Sequence, residues 1–224
     1  MQEPIYQSRT NARLYDIIGA LFVAFLVLSN IAATKLIAIG SPAFHLVFDG
    51  GAILFPLTYI LADVLSEIYG WKGARRIILL GFAVSILASL IFFLVQIAPP
   101  APDYHNQAAF EAVLGFVPRI VAASISGYLV GQLLNAFVLV KIKNRFGENN
   151  LWVRLIGSTL VGEAADTVIF CTIAFYGVIT GAEFVNYVLT GYFYKCLLEV
   201  VLLPLTYPII RFIKHQESAF QEIS

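Results

Sequence analysis

Six ionisable side chains interrupt stretches that are otherwise apolar: Asp63 and Glu67, Glu163 and Asp166, Lys195 and Glu199. In hydrocarbon each would cost about 2.5–3.5 kcal/mol or more, so such groups persist by facing a protein interior or a cavity. Tyr59, Asp63, Ser66 and Glu67 recur at helical spacing, which gathers them on one face. Glu67 stands near the end of its stretch, where it can instead snorkel or pair with Arg75 or Arg76. Thr159, Glu163 and Asp166 form a second such face. Two carboxylates one turn apart repel when both ionise, so one must find a cation or hold a proton. That pattern suits proton coupling or a donor-rich solute; a structural pair with Lys195 or Arg119 is the competing explanation. Ser124, Tyr128, Gly131, Gln132 and Asn135 make a polar stripe with Arg119 at its outer end. Its plainer explanation is hydrogen bonding between helices around a small residue. Lys195 and Glu199 are four apart, with Tyr192 one turn earlier, and can neutralise each other. Asn30, beside Ser29 and near Thr34, can donate and accept within the first apolar stretch.

The elements that carry these groups follow from composition. The 224 residues are 59% hydrophobic and 12% charged, with mean hydropathy +0.83, whereas soluble domains are about a quarter charged. A soluble fold of this size has too little interior to hide that surface, which excludes a soluble enzyme, a nucleic-acid binder and a disordered chain. With 14 basic and 14 acidic residues there is no cationic excess to recruit nucleic acid. Cys171 and Cys196 have neither disulfide-framework nor metal-site spacing, and no residue set calls for a cofactor.

The fold class expected is all-α: one integral membrane domain over 1–224 with six transmembrane helices, roughly 14–34, 51–70, 76–97, 117–140, 155–177 and 186–211. Each span needs about 20 largely apolar residues. Arg9, Arg13, Lys72, Arg75, Arg76, Lys141, Lys143, Arg145, Arg154, Arg211 and Lys214 fall on one side of that arrangement. Because cytoplasmic loops collect lysine and arginine, both termini are expected in the cytoplasm of a bacterial inner membrane. The first helix is read as retained, with no small-residue cleavage site after it. Gly40–Gly51, with Pro42, His45, Asp49 and Gly50, is expected to be a re-entrant or interfacial stretch. Pro99, Pro100 and Pro102 end the third helix and open the longest outer loop, to about Val117, where His105 beside Asp103 reads as solvated. Pro204 and Pro208 should kink the last helix. Three helices plus three would give two inverted halves, a common transporter plan.

Five of the six helices thus present buried polar groups, which points to an internal cavity for a polar, aromatic solute; 18 phenylalanines and 11 tyrosines supply stacking faces. Other membrane functions fit less well. His45, His105 and His215 lie outside the expected spans, so a serine–histidine intramembrane protease lacks its base. The run Gly162-Glu163-Ala164-Ala165-Asp166 is not the Gly-x-Gly-Asp of a presenilin-like enzyme. No Walker motif supplies ATP hydrolysis, and no repeated filter or charge ring marks a channel.

The segment from Phe55 to Gly70, Phe-Pro-Leu-Thr-Tyr-Ile-Leu-Ala-Asp-Val-Leu-Ser-Glu-Ile-Tyr-Gly, runs into Trp71-Lys-Gly-Ala-Arg-Arg-Ile77. It resembles the signature of the queuosine precursor transporter family, formerly the vitamin uptake transporter family. Ser29-Asn30, Arg119 with Gly131-Gln132-Leu133-Leu134-Asn135, Ser158-Thr159 with Asp166-Thr167, and Tyr194-Lys195 with Pro204 and Tyr207 agree with it, so the resemblance covers about residues 14 to 213. Many members carry an aspartate shortly before the last helix's proline, where this chain has Leu202-Leu203; Glu199 is the available substitute. The resemblance implies a non-enzymatic importer of 7-cyano-7-deazaguanine, with 7-aminomethyl-7-deazaguanine a second candidate, for salvage of the queuosine base of tRNA. It implies a nucleobase as ligand, the lipid bilayer as surroundings, no metal, and a homodimer as the candidate assembly. A guanine-type edge sets an N–H beside an NH₂, which one carboxylate can accept as a charge-assisted pair. Asp166 is the first candidate and Asp63 the second, with Glu163 and Glu67 nearby on the same faces. The carbonyl needs a donor among Lys195, Arg119, Asn30 and Gln132, and Tyr128 or Tyr192 can stack on the ring. The family also resembles the six-helix substrate-binding subunits of energy-coupling-factor transporters, which sets the alternative of a binding subunit served by a separate ATPase; an intramembrane enzyme is the more remote one.

Overall fold

The computed structural model describes residues 13–41, 44–146 and 151–218. Arg9 and Pro42 lie outside them. The described chain is a helical bundle with one small β element. In order it comprises α1 (Arg13–Ala32), strands β1 (Leu36–Ser41) and β2 (Phe44–Asp49), a 3-10 turn (Gly50–Ile53), α2 (Phe55–Ile97), α3 (Gln107–Leu114), α4 (Val117–Phe146), α5 (Leu151–Phe175) and α6 (Gly181–Ser218).

At 43 residues, α2 would run about 65 Å if straight, twice the roughly 30 Å of bilayer hydrocarbon. It does not run straight. Gly70 adopts φ 67°, ψ 175°, a conformation open essentially to glycine alone, and the chain turns back there. Its contacts with α1 show the reversal. Tyr15, near the start of α1, packs on Tyr69 with ring centroids 4.9 Å apart and donates to the Gly73 carbonyl at 3.0 Å. At the other end of α1, Ser29 donates to the Gly51 carbonyl at 3.3 Å and Asn30 to Ser85 Oγ at 3.4 Å. Residues 55–69 therefore run antiparallel to α1, and 71–97 run parallel to it. The sequence reading expected two helices separated by a connection over 71–75; the structure makes the reversal at one glycine, so helix resumes at Trp71.

By length and apolarity four of the described helices can cross a membrane, or five if the bent pair Gly181–Leu202 and Pro204–Gln216 is one span. In that count α2 enters once. The bend in α6 is 50° and falls at Pro204, where proline removes a donor and clashes with the preceding turn. Outward-facing side chains are apolar along the bundle: Leu79, Ile86, Leu90 and Phe93 on α2, and Phe193, Leu197 and Val200 on α6, are half-exposed or more. A solvated surface would not carry so continuous an apolar sheath. The chain is an all-α polytopic membrane protein.

Two departures concern the connections. Within the stretch offered as re-entrant or interfacial, the described residues form a β-hairpin, with pairing from Leu36 opposite Asp49 to Ser41 opposite Phe44. Gly50 lets it close onto α1, since a Cβ there would stand 2.5 Å from the Ala32 carbonyl. The long loop after Pro102 contains α3, tied back by Gln107, whose side chain donates to the Gln96 carbonyl at 3.0 Å.

The apolar core is in two parts. At the end of the bundle where α1 begins, Ile18 and Phe22 pack with Val64, Leu65, Ile68, Ala74, Ile77 and Ile213. At the hairpin end, Ala33 and Val47 pack with Ile120, Ala123, Cys171, Ala174, Phe175 and Tyr187. The polar groups lie between them.

Candidate functional site

Helices α4 and α5 set the site's frame. They run antiparallel at very close range because glycines face glycines and small groups. A Cβ on Gly127 would stand 2.7 Å from Asp166 Oδ1, one on Gly131 would stand 2.9 Å from the Gly162 carbonyl, and one on Gly162 would stand 2.8 Å from Asn135 Cβ. This is the small-residue packing that lets helices associate in lipid. It fixes the backbone height of Glu163 and Asp166. Arg119 caps the other end of the same contact, donating through Nε to the Ile173 carbonyl and through Nη2 to the Tyr176 carbonyl, both at 2.6 Å. Ile173 is in the last turn of α5 and Tyr176 directly follows it, where carbonyls lack helical donors and the negative end of the helix dipole lies.

Against this pair stands α6, antiparallel to α5. Gly191 faces Thr167, a Cβ there lying 3.5 Å from Thr167 Cγ2. One turn on, Lys195 reaches the carboxylates: Nζ bonds Asp166 Oδ2 and lies 3.8 Å from Glu163 Oε2. Nζ also sits 4.9 Å above the Phe55 ring, a cation–π contact. The side chains of Lys195, Glu163 and Asp166 are 14%, 18% and 22% exposed. Tyr59, from the first half of α2, donates to Glu163 Oε1 at 2.6 Å. Two carboxylates thus share one ammonium.

These groups line a cavity of about 400 Å³. Of the residues singled out by spacing, Asp63, Glu163, Asp166, Lys195, Asn30, Gln132 and Tyr128 all border it, together with Tyr59, Ser66, Ser124, Asn135 and Thr159. Tyr128 is held edge-on to Phe82, centroids 5.2 Å apart, and Asn30 is buried on Ser85. Three others lie elsewhere. Glu67 pairs with Lys214 at 2.7 Å on the exposed end of the bundle, not with Arg75 or Arg76. Arg119 caps α5, and Tyr192 points to the Leu160 carbonyl at 3.4 Å. The ion pairs of Lys195 go to Glu163 and Asp166, not to Glu199.

Sequence reasoning missed the roof. The hairpin and its 3-10 turn close one end of the cavity through Phe48, Asp49, Gly51 and Ala52. Asn186 bridges it both ways, its Oδ1 accepting from the Val47 amide at 3.1 Å and its Nδ2 donating to the His45 carbonyl at 2.7 Å. Tyr187 donates to Asp49 Oδ2 at 2.6 Å, Tyr194 to the Ala52 carbonyl at 2.8 Å, and His45 Nε2 lies 3.0 Å from Glu183. Burial pushes the Asp49 carboxyl above its ordinary value, against the opposing pull of the Tyr187 and Gly51 hydrogen bonds. A signal for Tyr187 was present: Tyr187, Gly191 and Lys195 recur every four residues, so they share one face of α6.

Three buried side-chain oxygens that border the cavity have no hydrogen-bond partner among the described residues: Asn135 Oδ1, Glu163 Oε2 and Thr167 Oγ1. Buried polar atoms are nearly always bonded, so acceptors left open around one ammonium describe a place for a solute rich in N–H donors that also carries an acceptor. No group of three or more His, Cys, Asp or Glu among the described residues could hold a metal.

Residues 49–209 match the model of a family described as "Putative vitamin uptake transporter". The chain is 28% identical over 192 residues to the "Probable queuosine precursor transporter" of Bacillus subtilis (strain 168), an alignment covering 85% of this chain and 82% of that one. It is 30% identical over 154 residues to the "Queuosine precursor transporter" of Escherichia coli (strain K12), covering 67% of each. No solved structure matches it. The family match takes in the roof aspartate, the Gly70 reversal, the α4–α5 glycine contact and Lys195, and with it the chain belongs to the vitamin uptake transporter family, to which these queuosine precursor transporters are its relatives.

Proposed function

We propose that this protein imports a queuosine precursor, a 7-deazaguanine base such as 7-cyano-7-deazaguanine, across the bacterial inner membrane through the central cavity. The observation that carries the reading is the pattern of donors and acceptors around Lys195. A guanine-type edge offers a carbonyl acceptor, then an N–H, then an NH₂. The site offers the Lys195 ammonium, then the Asp166 and Glu163 carboxylates, with Glu163 Oε2 3.8 Å from the ammonium and without a hydrogen bond among the described residues. Such a base would exchange the protein's internal ion pair for charge-assisted bonds of its own, giving the carbonyl to Lys195 and its two donors to a carboxylate. Asp166 and Glu163 are the acceptors bonded to or paired with that ammonium, and Asp63, which also borders the cavity, is the reserve. Tyr128 and Phe55 both border the cavity and offer faces on which a flat ring can stack. The names of the relatives agree with this chemistry.

The same reading takes the two runs of α2 as separate crossings, so six segments traverse the membrane. The cation-rich ends, including the Gly70 reversal with Lys72, Arg75 and Arg76, then face the cytoplasm. The test is uptake in cells that lack both their own importer and precursor synthesis. Expression of this chain with 7-cyano-7-deazaguanine in the medium should restore queuosine to tRNA. Unmodified tRNA despite membrane-inserted protein refutes the proposal.

A further inference from the structure

Thr167 has a hydroxyl with no visible duty. The residue is 2% exposed, borders the cavity, and its Oγ1 has no partner among the described residues. In a helix a threonine hydroxyl ordinarily bonds the carbonyl one turn back, as Thr206 does to the Leu202 carbonyl at 3.0 Å in α6. Thr167 does not. Opposite it stands Gly191, the α6 residue between Tyr187 and Lys195 on that face; a Cβ there would lie 3.5 Å from the Thr167 methyl, and both residues border the cavity. Thr167 lies four residues beyond Glu163, about 6 Å along the helix axis, on the side toward the roof.

We infer that the Thr167 hydroxyl is a ligand-reading group, which bonds the part of the solute that points away from the Lys195 cluster. The inference rests on the base-import reading above. With the donor edge of a bicyclic base held at Lys195, Asp166 and Glu163, its other end projects toward Thr167 and the roof. A hydroxyl both donates and accepts. It can donate to a nitrile nitrogen or accept from an amine, so this single group serves substituents of opposite hydrogen-bonding sense. Neither a carboxylate nor an ammonium at that position does both. Leaving such a hydroxyl buried and unpartnered is costly to the empty protein; a ligand that bonds it removes the cost.

The test is binding of 7-cyano-7-deazaguanine to purified protein by calorimetry, read with thermal melting in the same detergent. Thr167→Val keeps the shape and deletes the hydroxyl. It should weaken binding about tenfold, with a melting midpoint equal to or above that of the parent, because an unpartnered polar atom has gone. Thr167→Ser should bind within about threefold of the parent, since it keeps the group. A Thr167→Val protein that binds as the parent does overturns the inference. So does one that binds normally but melts lower, which assigns the hydroxyl to the fold. Should valine prevent folding, Thr167→Ala deletes the same hydroxyl without filling the space, and parent-like binding by that variant overturns the inference equally. If the parent itself does not bind the base, the base-import reading fails and this inference goes with it.

Discussion

Replacing Lys195 by methionine keeps the length of the side chain and its contact with Phe55 but removes the ammonium. Asp166 then loses its donor, and Asp166 and Glu163 are left as two largely buried carboxylates without a counter-ion. Removing one partner of a buried ion pair costs about 3–5 kcal/mol. The three side chains retain 14–22% exposure to a cavity that admits water, so the lower end applies, about 3 kcal/mol. On the scale of about 2–4 °C per kcal/mol for chains of this size, the melting midpoint in detergent should fall by roughly 6–12 °C. Binding of the deazaguanine loses a charge-assisted donor to the carbonyl, about 1.5–3 kcal/mol, or tenfold to a hundredfold and more in affinity. The double variant Lys195→Met/Asp166→Asn separates the two effects. Neutralising Asp166 removes one orphaned charge, so stability should partly return while binding does not, because the acceptor has gone as well. Fluorescence-detected melting and calorimetry on the four proteins of the cycle give both numbers. A Lys195→Met protein that melts and binds like the parent refutes the reasoning, since the ammonium would then be neither a counter-ion nor a ligand.

Gly131→Val should overpack the α4–α5 contact, where a Cβ stands 2.9 Å from both Asp166 Cβ and the Gly162 carbonyl; a loss of about 1–3 kcal/mol, seen as a lower melting midpoint together with lost uptake, is expected, and parent-like melting would refute the tight contact. Gly70→Ala meets no atom within 4 Å but forces an L-residue to φ 67°, so about 1–3 kcal/mol should be lost through the backbone alone, and an unchanged midpoint would show that the reversal does not need that conformation. Reporters fused to either terminus that are active only outside the cytoplasm should stay silent, and signal from a C-terminal fusion would invert the orientation.

The helices were legible because charge punctuates an otherwise apolar chain. The fourth was expected from 117 and α4 begins at Val117, while the prolines expected to bend the last helix do so at Pro204. The polar stripes were legible for the same reason, since 3.6-residue periodicity decides which residues share a face. It does not decide which faces meet. The sequence could offer Asp166 two cations, Lys195 and Arg119, and only the antiparallel course of α6 along α5 chooses Lys195, leaving Arg119 to the end of α5. The hairpin was hidden by composition: Leu36-Ile37-Ala38-Ile39 is a short apolar run without alternation, indistinguishable from helix in a chain this hydrophobic. At Gly70 the place of the reversal was legible and its form was not. The helix end at residue 70 and the cations after it marked the boundary, but nothing in the composition showed that the turn needs one residue and that helix resumes at Trp71.

The roof and the charge cluster hang from the same rod. Along α6, Glu183, Asn186, Tyr187 and Tyr194 hold the hairpin, Lys195 holds the two carboxylates, and beyond the bend at Pro204, Lys214 holds Glu67. A rod fastened at both ends and in the middle acts as a lever. A solute that draws Asp166 and Glu163 away from Lys195 would loosen the middle fastening, and the part of α6 before the bend at Pro204 carries both Lys195 and the residues that hold the hairpin. A variant that weakens the hairpin's hold on α6 should then alter the balance of forces on Lys195 as well.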